Sequence, residues 1–136
     1  MRKSIIIIDD ELLIRDLLYD HFSEREWLVS VSESGEKSLE LLRNRAYNIA
    51  LVDIRMPDMD GLSFVRKLRD LYPSPPVVIM TGFPTVETAI EAIRLKVDDY
   101  FIKPFNINKL YKTIEILVER YNKQDEKIQT ADIRIL

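Results

Sequence analysis

Ile5-Ile6-Ile7-Ile8-Asp9-Asp10 runs four consecutive β-branched residues straight into two carboxylates. A strand with one wet face alternates apolar and polar residues. A continuous apolar run reads instead as a strand covered on both faces, which means a parallel sheet between two helical layers. Ile49-Ala50-Leu51-Val52, Val77-Val78-Ile79-Met80 and Tyr100-Phe101-Ile102 have the same character. Trp27-Leu28-Val29-Ser30-Val31 is a more polar fifth run and is expected at a sheet edge.

The segments between these runs carry helical spacing. Ile14, Leu17, Leu18 and Phe22 share a face in the first, and Leu39 and Leu42 mark a second that Ser34 can cap. Leu62, Val65 and Leu68 mark the third. Val86, Ala89, Ile90, Ile93 and Val97 in the fourth, and Ile107, Leu110, Ile114, Leu117 and Tyr121 in the fifth, follow the stripe expected of a core-facing helix. The unit β-α therefore repeats five times. Right-handed crossovers turn this into an α/β, doubly wound three-layer sandwich around a parallel five-stranded sheet. From about Asn122 to Thr130 the chain turns polar, and Ile133, Ile135 and Leu136 form a short apolar stub. Residues 1–121 are expected to form the domain, and residues 122–136 a C-terminal helix extension or linker stub.

Composition narrows the function. The 136 residues are 46% hydrophobic and 32% charged, an ordinary globular balance for a single core. Twenty basic and 23 acidic residues leave a net charge of −3, so direct nucleic-acid binding by this domain is not expected. No apolar run approaches the ~18 residues of a membrane helix. With no cysteine and His21 as the one histidine, thiolate chemistry and ordinary zinc sites are excluded. His21 itself reads as an ordinary, partly buried helix residue. Three glycines, Gly35, Gly61 and Gly82, cannot write a dinucleotide fingerprint or a P-loop. Asp58 and Asp60 fail the spacing of a calcium loop, and His21 has no nucleophile elbow to serve.

Ligands of open α/β sheets bind beyond the carboxyl ends of the strands. The first strand ends in Asp9-Asp10, with Glu11 next; the third ends in Asp53, the fourth in Thr81-Gly82, and the fifth in Lys103-Pro104. Carboxylates crowded on one rim repel one another and are pushed toward protonation unless a cation is present. A hard divalent ion relieves this, and Mg²⁺ is the usual choice where phosphate chemistry follows. One carboxylate can then attack phosphorus, while Lys103 and Thr81 offer a fixed charge and a hydroxyl donor to the phosphoryl oxygens. Taken singly these residues have plainer readings: Asp9 and Asp10 as a helix cap, Lys103 as a surface lysine before a turn proline, Thr81 as a turn residue. Asp53 resists this, because an acid closing a buried run is costly without a partner.

In order and spacing these motifs resemble the receiver domain of two-component response regulators, the CheY-like superfamily, over roughly residues 3 to 121. The matching stretches are Asp9-Asp10-Glu11, Asp53-Ile54-Arg55-Met56-Pro57-Asp58-Met59-Asp60-Gly61, Thr81-Gly82 and Asp99-Tyr100-Phe101-Ile102-Lys103-Pro104-Phe105. The resemblance implies that Asp53 is the phosphoryl acceptor, loaded from a phosphohistidine on a partner sensor histidine kinase. It implies Mg²⁺ held by Asp10 directly, by Asp9 in support, by Asp53 and by the backbone carbonyl of Arg55. Thr81 and Lys103 match the residues that bind the acquired phosphoryl group, Tyr100 matches a switch aromatic, and the Lys103-Pro104 bond is expected to be cis. The same resemblance implies a flavodoxin-like sheet with strand order 2-1-3-4-5, and a cytoplasmic signal relay and not a metabolic enzyme, one that catalyses its own phosphorylation and dephosphorylation. Its expected contacts with an output domain, an effector or a second copy use the fourth helix, fifth strand and fifth helix.

Two features depart from the family pattern. Lys96-Val97 stands where a Gly-Ala pair is common, and glycine there suits a left-handed helix end. Arg55 and Phe83 flank the pocket at positions where the family varies. Two other readings compete. A phosphatase of the haloacid-dehalogenase type also forms an aspartyl phosphate, but wants a general acid two residues after its nucleophile; Arg55 stands there and cannot serve. A phosphorylation-independent interaction module would share the fold without the chemistry, although no residue the chemistry needs is missing.

Overall fold

The computed structural model describes residues 2–71 and 75–135, with side chains described as far as residue 124. Strands and helices alternate: β1 (Ser4–Ile8), α1 (Leu12–Ser23), β2 (Leu28–Ser32), α2 (Gly35–Asn44), β3 (Ile49–Asp53), α3 (Gly61–Leu71), β4 (Val77–Thr81), α4 (Val86–Arg94), β5 (Asp99–Ile102) and α5 (Ile107–Ile135). All strand pairs are parallel, in the order β2-β1-β3-β4-β5. The more polar run is indeed an edge strand. Trp27 stands just outside it, buried where α1 ends.

Period-two alternation divides each central strand between two cores. Ile5, Ile7, Ile49, Leu51, Val78 and Met80 face α1 and α5, where Leu18, Phe22, Leu110, Ile114 and Val118 meet them. Ile6, Ile8, Ala50, Val52, Val77 and Ile79 face the other way, onto Leu39 and Leu42 of α2, Leu62, Val65 and Leu68 of α3, and Ala92 of α4. β1, β3 and β4 are buried at every position, as continuous apolar runs require. The register aligns Ile8 with Val52, Asp53 with Met80 and Thr81 with Ile102, so the strands finish at one rim.

Two sequence expectations need correction. Tyr100-Phe101-Ile102 is not covered on both faces: β5 is an edge strand, Tyr100 and Phe101 are only partly buried, and Ile102 is 55% exposed. The stripe of α4 does not face the core either. Val86 is 76% exposed, Ile93 75% and Ile90 44%, and of its nine residues only Ala92 is buried. The reason is shared. Periodicity shows that apolar residues lie on one side of a helix, not that the sheet reaches far enough to cover that side, and β5 is the end of the sheet. Leu17 of α1, 49% exposed, repeats the point on a smaller scale.

Helix ends follow local chemistry. Ser34 caps α2 by accepting the Lys37 N–H, and Thr85 and Thr88 form a reciprocal capping box on α4. Lys96 takes the left-handed conformation, φ 57°, that the family often gives to glycine. Its N–H donates to the Ile93 carbonyl and the Val97 N–H to the Ala92 carbonyl, the paired bonds of a Schellman end. Glu26, φ 67°, closes α1 in the same way and brings Trp27 edge-on to Phe22, with ring centres 5.2 Å apart. The side chains of Ile133, Ile135 and Leu136 lie outside the described residues.

Candidate functional site

The rim at the carboxyl ends of the strands collects the charged residues. β1 runs out at Ile8, and the next residue still donates its N–H to the Ser32 carbonyl, so Asp9 is held in line with the sheet. Its side chain is fully buried, and Oδ1 accepts the Glu11 N–H at 2.9 Å. Arg15 returns from α1 to donate to the Asp9 carbonyl at 2.8 Å. The helix-cap reading is set aside by this geometry, because the N-cap of α1 is Glu11, which makes no side-chain cap bond. Asp53, the last residue of β3, is 3% exposed and accepts the Arg55 N–H on Oδ1 at 3.3 Å.

Lys103 enters from the end of β5, where its N–H donates to the Thr81 carbonyl at 2.8 Å and its bond to Pro104 is cis, as expected. Its ammonium donates to Asp9 Oδ2 at 2.6 Å, Glu11 Oε1 at 2.9 Å and Asp53 Oδ2 at 3.2 Å. One cation thus ties together the ends of β1, β3 and β5. Carboxylate oxygens of Asp9, Asp10, Glu11 and Asp53 all lie within 4.8 Å of one another. Four hard oxygen donors at that spacing suit a divalent metal ion.

The electrostatics are those of a site short of positive charge. Burial, with the neighbouring Asp53 charge adding to it, pushes the Asp9 carboxyl up from 3.8 to about 6, against the opposing pull of Lys103 and the Glu11 N–H. For Lys103 burial disfavours the charge, but its hydrogen bonds to Asp9 and Glu11 and the charges of Asp9 and Asp53 outweigh that. The ammonium is held above its ordinary value.

Thr81, fully buried at the end of β4, sits one residue beyond the position paired with Asp53. Its Oγ accepts the Phe83 N–H at 3.1 Å, which leaves its own O–H available as a donor. Arg55 lays its guanidinium over the Phe83 ring, 3.8 Å from the ring centre, at the edge of the site. Tyr100 lies away from the rim, and its hydroxyl is 3.1 Å from Thr88 Oγ1 at the start of α4. His21 is remote as well, packed edge-on against Tyr111 at 5.2 Å between ring centres.

Some supporting residues were not identified from sequence. Glu11 shares the Lys103 ammonium, although its place in the acidic run gave no way to separate ligand from neighbour. Gly61 backs onto the end of β3 so closely that a Cβ would lie 2.1 Å from the Asp53 carbonyl oxygen. Asp58 accepts the N–H groups of Gly35 and Glu36, tying the loop after β3 to the start of α2. Those bonds, that of Glu36 first, hold its carboxyl below the ordinary value. A glycine at the first position of a helix, where better helix formers are available, was the one local signal for Gly61.

A family model described as the response regulator receiver domain matches residues 5–115. The chain belongs to the response regulator receiver domain family. Curated relatives include the transcriptional regulatory protein ZraR of Salmonella typhimurium, 33% identical over 112 residues, which are 82% of this chain and 25% of that protein. The regulatory protein AtoC of Escherichia coli is 33% identical over 124 residues, 91% of this chain and 27% of that one. The DNA-binding transcriptional regulator NtrC of Proteus hauseri is 32% identical over 132 residues, 97% of this chain and 28% of that one. This receiver therefore spans about a quarter of the length of the curated relatives it matches. Among solved structures, a CheY-like receiver from Methanospirillum hungatei superposes with a TM-score of 0.88 at 27% identity, covering 91% of this chain and 99% of that one. NtrX from Brucella abortus gives 0.87 at 28%, covering 96% of this chain and 30% of that one. Membership favours the receiver reading over a haloacid-dehalogenase-type phosphatase or a phosphorylation-independent module. Among the described residues no helix is long and apolar enough to cross a membrane.

Proposed function

We propose that Asp53 is the phosphoryl acceptor of this receiver, loaded by a partner sensor histidine kinase in the cytoplasm, and that the acquired phosphate switches an output domain or effector. An Asp53 carboxylate oxygen attacks phosphorus, the bond from phosphorus to the donor imidazole nitrogen breaks, and the nitrogen keeps the electron pair. Dephosphorylation reverses the gain: water attacks phosphorus and Asp53 leaves as carboxylate. Asp9, Asp10 and Asp53, with the Arg55 carbonyl, hold Mg²⁺, which when bound neutralises charge on the acids and on the transferring group. The Lys103 ammonium then binds a phosphoryl oxygen, and the Thr81 O–H donates to another. Arg55 and Phe83, stacked beside the site, stand where they can limit the approach of hydrolytic water. Residues 1–121 are the working receiver, and residues 122–135 extend its last helix.

The observation that carries this reading is the Lys103 ammonium bridging Asp9, Glu11 and Asp53 at one rim. Thr81 lies on the same β4 that leads toward α4, and Tyr100 is hydrogen-bonded to Thr88 in the first turn of α4. Closure of Thr81 on the phosphate therefore has a short path to the exposed face of α4, β5 and α5. Phosphorylation biases that face only through its differential contacts in the two states.

Incubation with Mg²⁺ and acetyl phosphate is the direct test. Mass spectrometry is expected to show one labile adduct with the mass of HPO₃, lost in Asp53→Asn and absent without the metal. Turnover of many unrelated phosphomonoesters would overturn the reading, as would an adduct that survives Asp53→Asn. Thr81→Ala is expected to accept phosphate yet transmit a weakened signal; full signalling by that variant would refute the coupling.

A further inference from the structure

The acidic rim has a counterpart of opposite charge at the other end of the sheet. Beneath the amino ends of β4 and β5, the ends of α3 and α4 and the middle of α5 border a cleft of about 690 Å³. That lies within the ~300–1,000 Å³ of small-molecule sites. Arg69, Arg94, Lys96 and Arg120 line it, and Asp98 is its one acid among the described residues.

The chain as a whole carries a net charge of −3, so this local excess of cations runs against the overall balance. Cations favour the carboxyl ends of helices in general, which accounts for Arg69, Arg94 and Lys96. It does not account for Arg120 in the middle of α5, nor for the meeting of all four at one cleft. Two of the five charges are used by the fold itself. Arg69, half-buried, donates to the Pro75 carbonyl at 2.6 Å and to the Lys96 carbonyl at 3.2 Å, tying α3 to the end of α4. Burial disfavours its charge, and the neighbouring Asp98 supports it. Asp98 also accepts the Val77 N–H at 2.8 Å. The other three cations differ: among the described residues the side chains of Arg94, Lys96 and Arg120 make no ion pair or hydrogen bond.

The rest of the wall is apolar, with Leu95, Leu117 and Pro76, and Tyr121 adds an aromatic ring. A fitting ligand therefore joins several negative charges to a flat, weakly polar body. One phosphate monoester carries about −1.5 to −2 near pH 7, so a diphosphate matches three cations better than a single phosphate or carboxylate does. A nucleobase supplies a face that stacks on an aromatic side chain.

We propose that this cleft binds a nucleoside diphosphate, with the diphosphate on Arg94, Lys96 and Arg120 and the base against Tyr121 and Leu117. The site is at the end of the domain remote from Asp53, so binding needs neither the acidic rim nor Mg²⁺.

The test is calorimetric titration of the full chain with ADP in EDTA, where the acidic rim, without a divalent ion, repels a polyphosphate. Binding to one site is expected, weakened by added salt and unchanged in Asp53→Asn. Arg94→Glu and Arg120→Glu are each expected to weaken it about tenfold or more, as loss of a charge-assisted hydrogen bond does, with the thermal unfolding of the domain unchanged. Tyr121→Leu, which keeps apolar bulk without the ring, is expected to weaken ADP and leave inorganic pyrophosphate unaffected. No binding at millimolar ADP, by heat or by a shift in unfolding temperature, would overturn the proposal. So would an affinity indifferent to both charge reversals, or pyrophosphate binding as tightly as ADP.

Discussion

Asp9 is the residue most at odds with its surroundings. Its carboxyl is fully buried and titrates near 6 in the folded chain against 3.8 ordinarily. The sign follows from proton binding. Between about pH 4 and 6 the folded chain keeps a proton that the unfolded chain has lost, so this group's contribution to stability falls as pH rises through that window. Metal-free Asp9→Asn is therefore expected to be at least as stable as the parent at pH 7, with the difference shrinking toward pH 4 in urea denaturation. The glycines around the site differ sharply. Gly61→Ala puts a Cβ 2.1 Å from the Asp53 carbonyl oxygen and 2.8 Å from Ile54 Cα, both backbone, whereas a Cβ on Gly82 meets no atom closer than Lys103 Cβ at 4.0 Å. Gly61→Ala is expected to cost about 1–3 kcal/mol, as overpacking does, and on the proposed function to slow phosphorylation by displacing the end of β3; Gly82→Ala leaves stability unchanged in the same denaturation series.

Elements behave according to what covers them. α3 lies over the middle of the sheet, and α4 lies at its edge with its stripe in solvent. Leu68→Ala is expected to cost about 2–5 kcal/mol, while Ile93→Ser stays within about 0.5 kcal/mol; equal losses would mean that the α4 stripe is packed after all. The end of α4 offers a gain. Lys96 pays the left-handed penalty that glycine avoids, so Lys96→Gly is expected to raise stability by up to about 1 kcal/mol, read from the urea midpoint. The departure from Gly-Ala, visible in the sequence, is thus a strain that the helix end tolerates. Why the stripe of α4 misled is equally clear: spacing along a helix reports which residues are neighbours, and only the position of the helix over the sheet reports what they face.

For the molecule as a whole, the rim holds Asp9, Asp10, Glu11 and Asp53 against a single lysine, so the folded chain stores like-charge repulsion there. An ion that binds this rim and not the unfolded chain stabilises by mass action, about 2.7 kcal/mol at a hundred times its dissociation constant. Mg²⁺ is expected to raise the unfolding temperature at pH 7, to do so less at pH 5 where Asp9 holds a proton, and to do so little in Asp9→Asn; a metal response that ignores both pH and Asp9 would remove this acid from the site.

Fold class and the acidic rim, with Asp53's place on it, were legible in the chain itself, and the strand order followed from the family resemblance. Continuous apolar runs admit few architectures, and a parallel sheet forces the residue that ends each run onto one edge. Hydropathy and spacing are local, however, and the remaining features are not. That Glu11 shares the lysine, that Gly61 presses on the Asp53 backbone, that Asp58 closes the start of α2 and that α4 and β5 leave apolar surface in water all depend on distances between segments remote in sequence. Those distances exist only once the strands have paired and the helices have settled on the sheet.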